Sequence, residues 1–105
     1  MADEENENLI KVTQSEFDAI VRKHVMFRSA RMGGIRAMLT RYDLSGLNLE
    51  NYDLSHAEMT GVSLNGANAQ GAILDYCNFF GADLRNCNLQ GANLVRADLR
   101  GACLR

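Results

Sequence analysis

The chain has 105 residues, 47% of them hydrophobic and 23% charged, with a formal net charge of −2. That length suits one domain with a modest core, and the ordinary apolar share excludes general disorder. The near-balance of charge predicts neither a nucleic-acid nor a membrane partner, and no apolar run approaches the roughly 20 residues that span a bilayer.

The opening residues, MADEENEN, are acidic, the opposite of a secretory leader's basic start, so the expected compartment is the cytoplasm. Residues 1–14 read as an acidic, largely disordered tail in which LIKVT could form one short strand. Residues 15–36 read as an amphipathic helix. Ser15 followed by Asp18 gives a capping-box pair, and Phe17, Ile20, Val21, His24 and Phe27 fall on one stripe at helical spacing. Asp18 and Arg22 form an i,i+4 pair, and Gly33-Gly34 supplies a stop. On that stripe, His24 reads as a structural histidine rather than a base or a ligand.

From Tyr42 the period changes. Apolar residues, large in all but Ala69, recur every fifth position from Leu44 through Leu49, Leu54 and Met59 to Leu104, thirteen units without an insertion. Two residues before each comes a second apolar position, mostly Ala or Cys but Tyr42, Leu47 and Tyr52 at the start. Neither a helix of period 3.6 nor a strand of period 2 produces this spacing.

The units ADLRN, ANLVR, ADLRG and ANAQG make residues 42–105 resemble the pentapeptide-repeat family, with AMLTR at Ala37 as a degenerate first unit. The resemblance implies an all-β solenoid in which four pentapeptides make one turn. The expected fold is a right-handed quadrilateral β-helix of about three coils, roughly 16 Å long at ordinary strand spacing. Its domains are the tail at 1–14, an N-terminal helix cap at 15–36, and the repeat at 37–105. In such a coil the leucine-type residue and the small residue before it point inward. The narrow bore keeps one of the two small, and Gly or Asn serves the corners. Stacked repeats expose an apolar end and a strand edge. The helix is therefore expected to cover the wide Tyr42/Leu47/Tyr52 layer with Phe17, Ile20, Val21 and Phe27. It also resembles a leader seen before some pentapeptide arrays, carried here by His24, Phe27 and GIRA at Gly34 to Ala37. The repeat stops at Arg105 inside a unit, so the array either continues in a longer parent chain or meets a partner, most simply a second copy end to end.

Cys77, Cys87 and Cys103 form no CxxC pair and no cluster with His24 or His56, so no metal site is expected. Cys77 and Cys87 face the bore from opposite sides, too far apart for a disulfide, while Cys103 points outward. The acidic residues of the array are separate and solvated, and the glycines are corners rather than a phosphate loop. No catalytic residue, cofactor or enzymatic activity is expected.

Positions 20 apart stack in the implied coil. Three corners hold mainly Gly and Asn, whereas the fourth carries His56, Tyr76 and Arg96. Ile73, Phe80 and Val95 gather beside it. This edge is either a protein-binding strip or a stacked ladder with Tyr76 between His56 and Arg96. Asn48, Asn68 and Asn88 form a second column that reads as a stabilising amide ladder.

The expected function is a non-enzymatic scaffold or protein–protein interaction module whose partner is unknown. The resemblance also implies an alternative, a DNA mimic that binds DNA gyrase or a topoisomerase. That role suits a long acidic rod, while residues 37–105 carry seven acidic against five basic side chains. A third reading makes the array a spacer whose helix presents Arg22, Lys23, Arg28, Arg31 and Arg36 to an acidic partner or a membrane surface, although six acidic residues in the same first 36 balance them.

Overall fold

A computed structural model describes residues 8–104; most of the acidic tail lies outside them. Strand β1 (Ile10–Lys11) leads into helix α1 (Gln14–Arg28), and strand β2 (Tyr42–Asp43) begins the regular coil. From Met38 on, four ladders of parallel bridges join residues 20 apart: Met38–Glu58–Asn78–Asp98, Asp43–Ser63–Asp83–Cys103, Asn48–Asn68–Asn88 and Asp53–Ile73–Asn93. Four ladders at one 20-residue spacing define a four-sided coil with one pentapeptide per side.

Each side is made the same way. The inward Leu44, Leu49, Leu54, Met59, Leu64, Leu74 and Phe79 are fully buried, as is the small Ala57 or Ala72 between them. The centre residue's amide donates to the next coil, as Leu44 does to Ser63 and Leu64 to Asp83, both at 2.8 Å. Its carbonyl accepts from the residue three further on, as Leu44 does from Leu47 at 3.1 Å, which closes a tight corner. The third residue of that turn has positive φ, 72° at Gly46 and 62° at Asn51, the geometry a type II turn requires. In most units the polar residue before the centre then fixes the corner. Asp43, Asn48, Asp53, Asn68, Asn78, Asp83, Asn88 and Asp98 each accept from the amide two residues on, at 2.9–3.1 Å. The Asn48/Asn68/Asn88 column therefore turns its carbonyl oxygens to its own corners rather than up a ladder.

The bore conserves volume. Ala69 takes a leucine position, and the larger Phe79 stands ten residues and half a coil away on the opposite wall; both are fully buried, which is the arrangement a filled bore needs. Burial decreases along the array, from 2% exposure at Leu84 to 57% at Leu104.

Helix α1 differs from expectation at both ends. Its N-cap is Thr13, whose hydroxyl accepts from the Glu16 amide while the Glu16 carboxylate accepts from the Thr13 amide at 2.8 Å; Ser15 and Asp18 are not the capping box. It stops at Arg28, short of Gly33. Ala30 adopts φ 56° and donates to the Phe27 carbonyl, and Arg31 donates to Met26, a Schellman pair with alanine in glycine's usual place. Gly34 has another task, because a Cβ there would overlap the backbone of Phe27. Asp18 accepts from Gln14 and from the Tyr52 hydroxyl at 2.7 Å rather than pairing with Arg22.

Phe17 and Val21 are buried against the coil, with Phe17 stacked on Tyr52 at 6.0 Å between ring centroids. Phe27, expected in that layer, is 42% exposed. His24 holds the buried place instead. Its Nε2–H donates to the Ser55 carbonyl at 2.7 Å and its Nδ1 accepts the Ala37 amide at 2.9 Å. Both nitrogens are satisfied in one neutral tautomer, and burial pushes its pKa down.

The first-coil edge is met side by side. Strand β1 pairs with β2 in parallel, Ile10 opposite Tyr42. The Gln14 amide accepts from the Asn48 amide at 2.8 Å and donates to the Asn48 carbonyl at 2.7 Å, as a neighbouring strand would. His24 serves Ser55, Arg36 donates to the His56 carbonyl at 2.7 Å, and Ala37 to Leu39 pair with Glu58.

Candidate functional site

The coil forces a left-handed residue at every corner, and the cheapest occupants are Gly and Asn. Three corners largely follow that rule. The fourth places His56, Tyr76 and Arg96 at φ 69°, 61° and 57°, each with a long or ring side chain pointing outward. Beside it the repeat breaks its own rule twice more. Ile73 stands where other units have an Asx-turn carboxylate or amide, and Val95 stands where most are polar. In the adjacent coil the Val95 amide donates not within its own turn but across to the Asp75 carboxylate at 2.9 Å.

The structure places His56, Ile73, Tyr76, Val95 and Arg96 along one corner, while Phe80 stands in the next turn, Phe79 to Ala82. Tyr76 and Phe80 are each 49% exposed and Val95 is 57% exposed. Ile73 is half-buried between Asp53 and Asn93 in its ladder, so it supports the edge more than it presents itself. His56 and Tyr76 stack at 4.6 Å with planes 13° apart. Arg96 is exposed, but the cation–π contact recorded among the described residues is a different one, Arg100 over Phe80 at 5.8 Å. The expected sandwich on Tyr76 is thus made from one side only, leaving much of the tyrosine open. Arg100 is held in place by Asp98, through Nε at 2.9 Å and Nη2 at 2.7 Å, and the pair lowers the Asp98 pKa to about 2.

Two members of this edge escaped the sequence reading. Arg36 lies 20 residues before His56 and bonds its carbonyl; Arg100 lies 20 residues after Phe80 and covers its ring. The spacing that aligned the corner column would have found both. The column thus runs Arg36, His56, Tyr76, Arg96.

Chemically the edge offers ring faces, guanidinium groups and two aliphatic side chains. Of the buried polar groups, His24 is fully engaged, and the Cys77 thiol donates to the Leu54 carbonyl at 2.9 Å with its pKa pushed up to about 12 by burial. Cys87 is half-buried and Cys103 exposed, and all three are free. Among the described residues no group of His, Cys, Asp or Glu is placed to hold a metal ion, and no helix is long and apolar enough to cross a membrane.

Comparison with known proteins agrees with this geometry. A family model for pentapeptide repeats matches residues 37–75 and 77–105 in eight copies. The chain belongs to the pentapeptide repeat family, whose members fold as right-handed quadrilateral β-helices. Among solved structures it is similar to the pentapeptide repeat protein Rfr23 of the cyanobacterium Cyanothece 51142. The identity is 34% over 66% of this chain and 48% of that one, with a TM-score of 0.64. This chain therefore spans about half the length of Rfr23. It is also similar to HetL of Nostoc sp. strain PCC 7120, a pentapeptide repeat protein involved in heterocyst differentiation regulation, at 34% identity over 60% of this chain and 38% of that one, with a TM-score of 0.40. No curated protein matches the chain.

Proposed function

We propose that the chain is a non-enzymatic interaction module: a rigid solenoid of about three coils, closed at its first coil by helix α1, that presents the His56–Tyr76–Arg96 edge to a partner protein. The observation that carries this reading is the placement of Tyr76 and Phe80. Each ring is packed on one neighbour, Tyr76 on His56 and Phe80 under Arg100, yet both stay 49% exposed, on a frame whose other corners mostly use Gly and Asn. Clustered exposed aromatic residues with arginine beside them have the composition of interface centres. A frame of hydrogen-bonded coils holds such side chains at fixed spacing, which lowers the ordering cost of binding.

The test is affinity capture with the intact chain against a Tyr76→Ser/Phe80→Ser variant of unchanged circular dichroism. A set of proteins retained by the first and lost by the second supports the reading. Capture of the same set by both defeats it.

A further inference from the structure

Helix α1 is fastened to the coil mainly through side chains, whereas the coils are fastened to one another by backbone. The buried residues of the helix are Phe17, Val21 and His24, and the connection at 29–36 is exposed except at Gly34, with Met32 96% exposed. Beyond the short pair of β1 with β2, the helix is held by Gln14 on the Asn48 backbone, Asp18 on the Tyr52 hydroxyl and Arg28 on the Ser55 hydroxyl, together with His24. The bonds from coil to coil, such as Leu54 to Ile73 and Leu64 to Asp83, do not pass through it. The helix can therefore leave while the array stands.

His24 is the fastening that titrates. It is fully buried and grips the coil at two points, the Ser55 carbonyl and the Ala37 amide, and Ala37 is itself fixed because its carbonyl accepts from the Glu58 amide at 3.0 Å. A second ring proton would set one N–H against another at Ala37. The surrounding charges give that proton little welcome. Arg28 on the helix and Arg36 on the connection both oppose it, the latter partly offset by Glu58. On the coil, Asp53 favours it, but its carboxylate is already engaged by the Ser55 amide and hydroxyl at 3.0 and 2.7 Å, and the neighbouring His56 turns its carbonyl to Arg36.

We propose that helix α1 is an acid-released lid: protonation of His24 frees the helix from the first coil while the array stays folded. A released His24 takes its proton near the ordinary 6.5, and a closed one only at lower pH, so acid favours the open form. Closure is whole above 6.5 and weakens by up to about tenfold per pH unit below it, until the closed-state value is passed. Release uncovers the Tyr42/Leu47/Tyr52 layer and the Asn48 and Ser55 backbone groups, an unpaired strand edge. The device needs no partner and stands apart from the Tyr76 edge.

Hydrogen exchange of the intact chain at pH 7 and pH 5, with the intrinsic pH dependence of exchange divided out, tests this. The reporters are the helix amides and those of Ala37 and Asn48, bonded by His24 and Gln14; the references are Leu64 and Leu74, bonded to the next coil. At both pH values the reporters should exchange at least about tenfold faster than the references, because the helix opens without the array. Their opening should rise by at least about fivefold from pH 7 to 5, with a ceiling of about twenty-fivefold for one histidine of open-state value 6.5. His24→Gln, whose amide both donates and accepts without titrating, should remove the rise; the comparison within the natural chain stands whether or not this variant folds. Reporters no faster than the references, a rise below about fivefold, or the same rise in a folded His24→Gln would each overturn the proposal.

Discussion

His24 is a neutral imidazole by construction: Nδ1 faces an amide N–H and Nε2 donates to a carbonyl, so a second ring proton would meet a donor. Its folded pKa lies below the ordinary 6.5. The unfolded chain therefore binds the extra proton first as pH falls. The contribution is whole above 6.5 and is lost below it, until the folded-state pKa is passed. The slope can reach about 1.4 kcal/mol per pH unit. Denaturant titrations between pH 7 and 5 should show this loss, and His24→Phe should flatten the slope while costing about 2 kcal/mol for the two unpaired backbone groups. Tyr76 behaves in the opposite way. Replacing it with Gly removes a left-handed strain of about 1 kcal/mol and a stack of similar size, so stability should change by no more than about 1 kcal/mol. A loss above about 2 kcal/mol in thermal unfolding would make the ring structural. His24 was legible as an engaged histidine because a polar ring on an apolar stripe needs partners. Phe27 was misplaced because that stripe is wider than the surface it covers, and only packing decides which of its members is left out.

Helix and coil differ in how much of them can be read locally. The cap at Thr13 was obscured because Ser15/Asp18 and Thr13/Glu16 both fit the same pattern. The choice between them rests on Gln14, whose amide must reach Asn48 across 34 residues. Gln14→Ala should cost about 1 kcal/mol and raise hydrogen exchange at the Asn48 amide. The helix end was obscured for a related reason: alanine has no preference for the left-handed conformation it adopts at Ala30. The coil, by contrast, repeats one local rule until chance is excluded. Its volume balance makes a paired prediction. Ala69→Leu alone should overpack the bore and cost about 1–3 kcal/mol, and adding Phe79→Leu should recover most of it. Additive losses in the double variant would show that the two walls do not share space.

At the scale of the molecule, the five-residue phase over residues 42–104 left little freedom in the fold, because each unit's geometry depends only on its neighbours. A DNA mimic needs one continuous negative face. Here Arg36, Arg96 and Arg100 punctuate the exposed edge, so the chain should leave gyrase supercoiling unchanged at equimolar and tenfold excess amounts. Inhibition there would revive the mimic reading.

Because the ladders join residues 20 apart, every address on the surface depends on a count. Five residues spliced into the array would leave its interior sound yet swing everything downstream by a quarter turn, carrying Tyr76 off the wall that holds His56. Twenty would lengthen the rod and restore the alignment. Lineages can thus gain or shed units without unfolding, but only in multiples of four do they keep the same face toward the same neighbour.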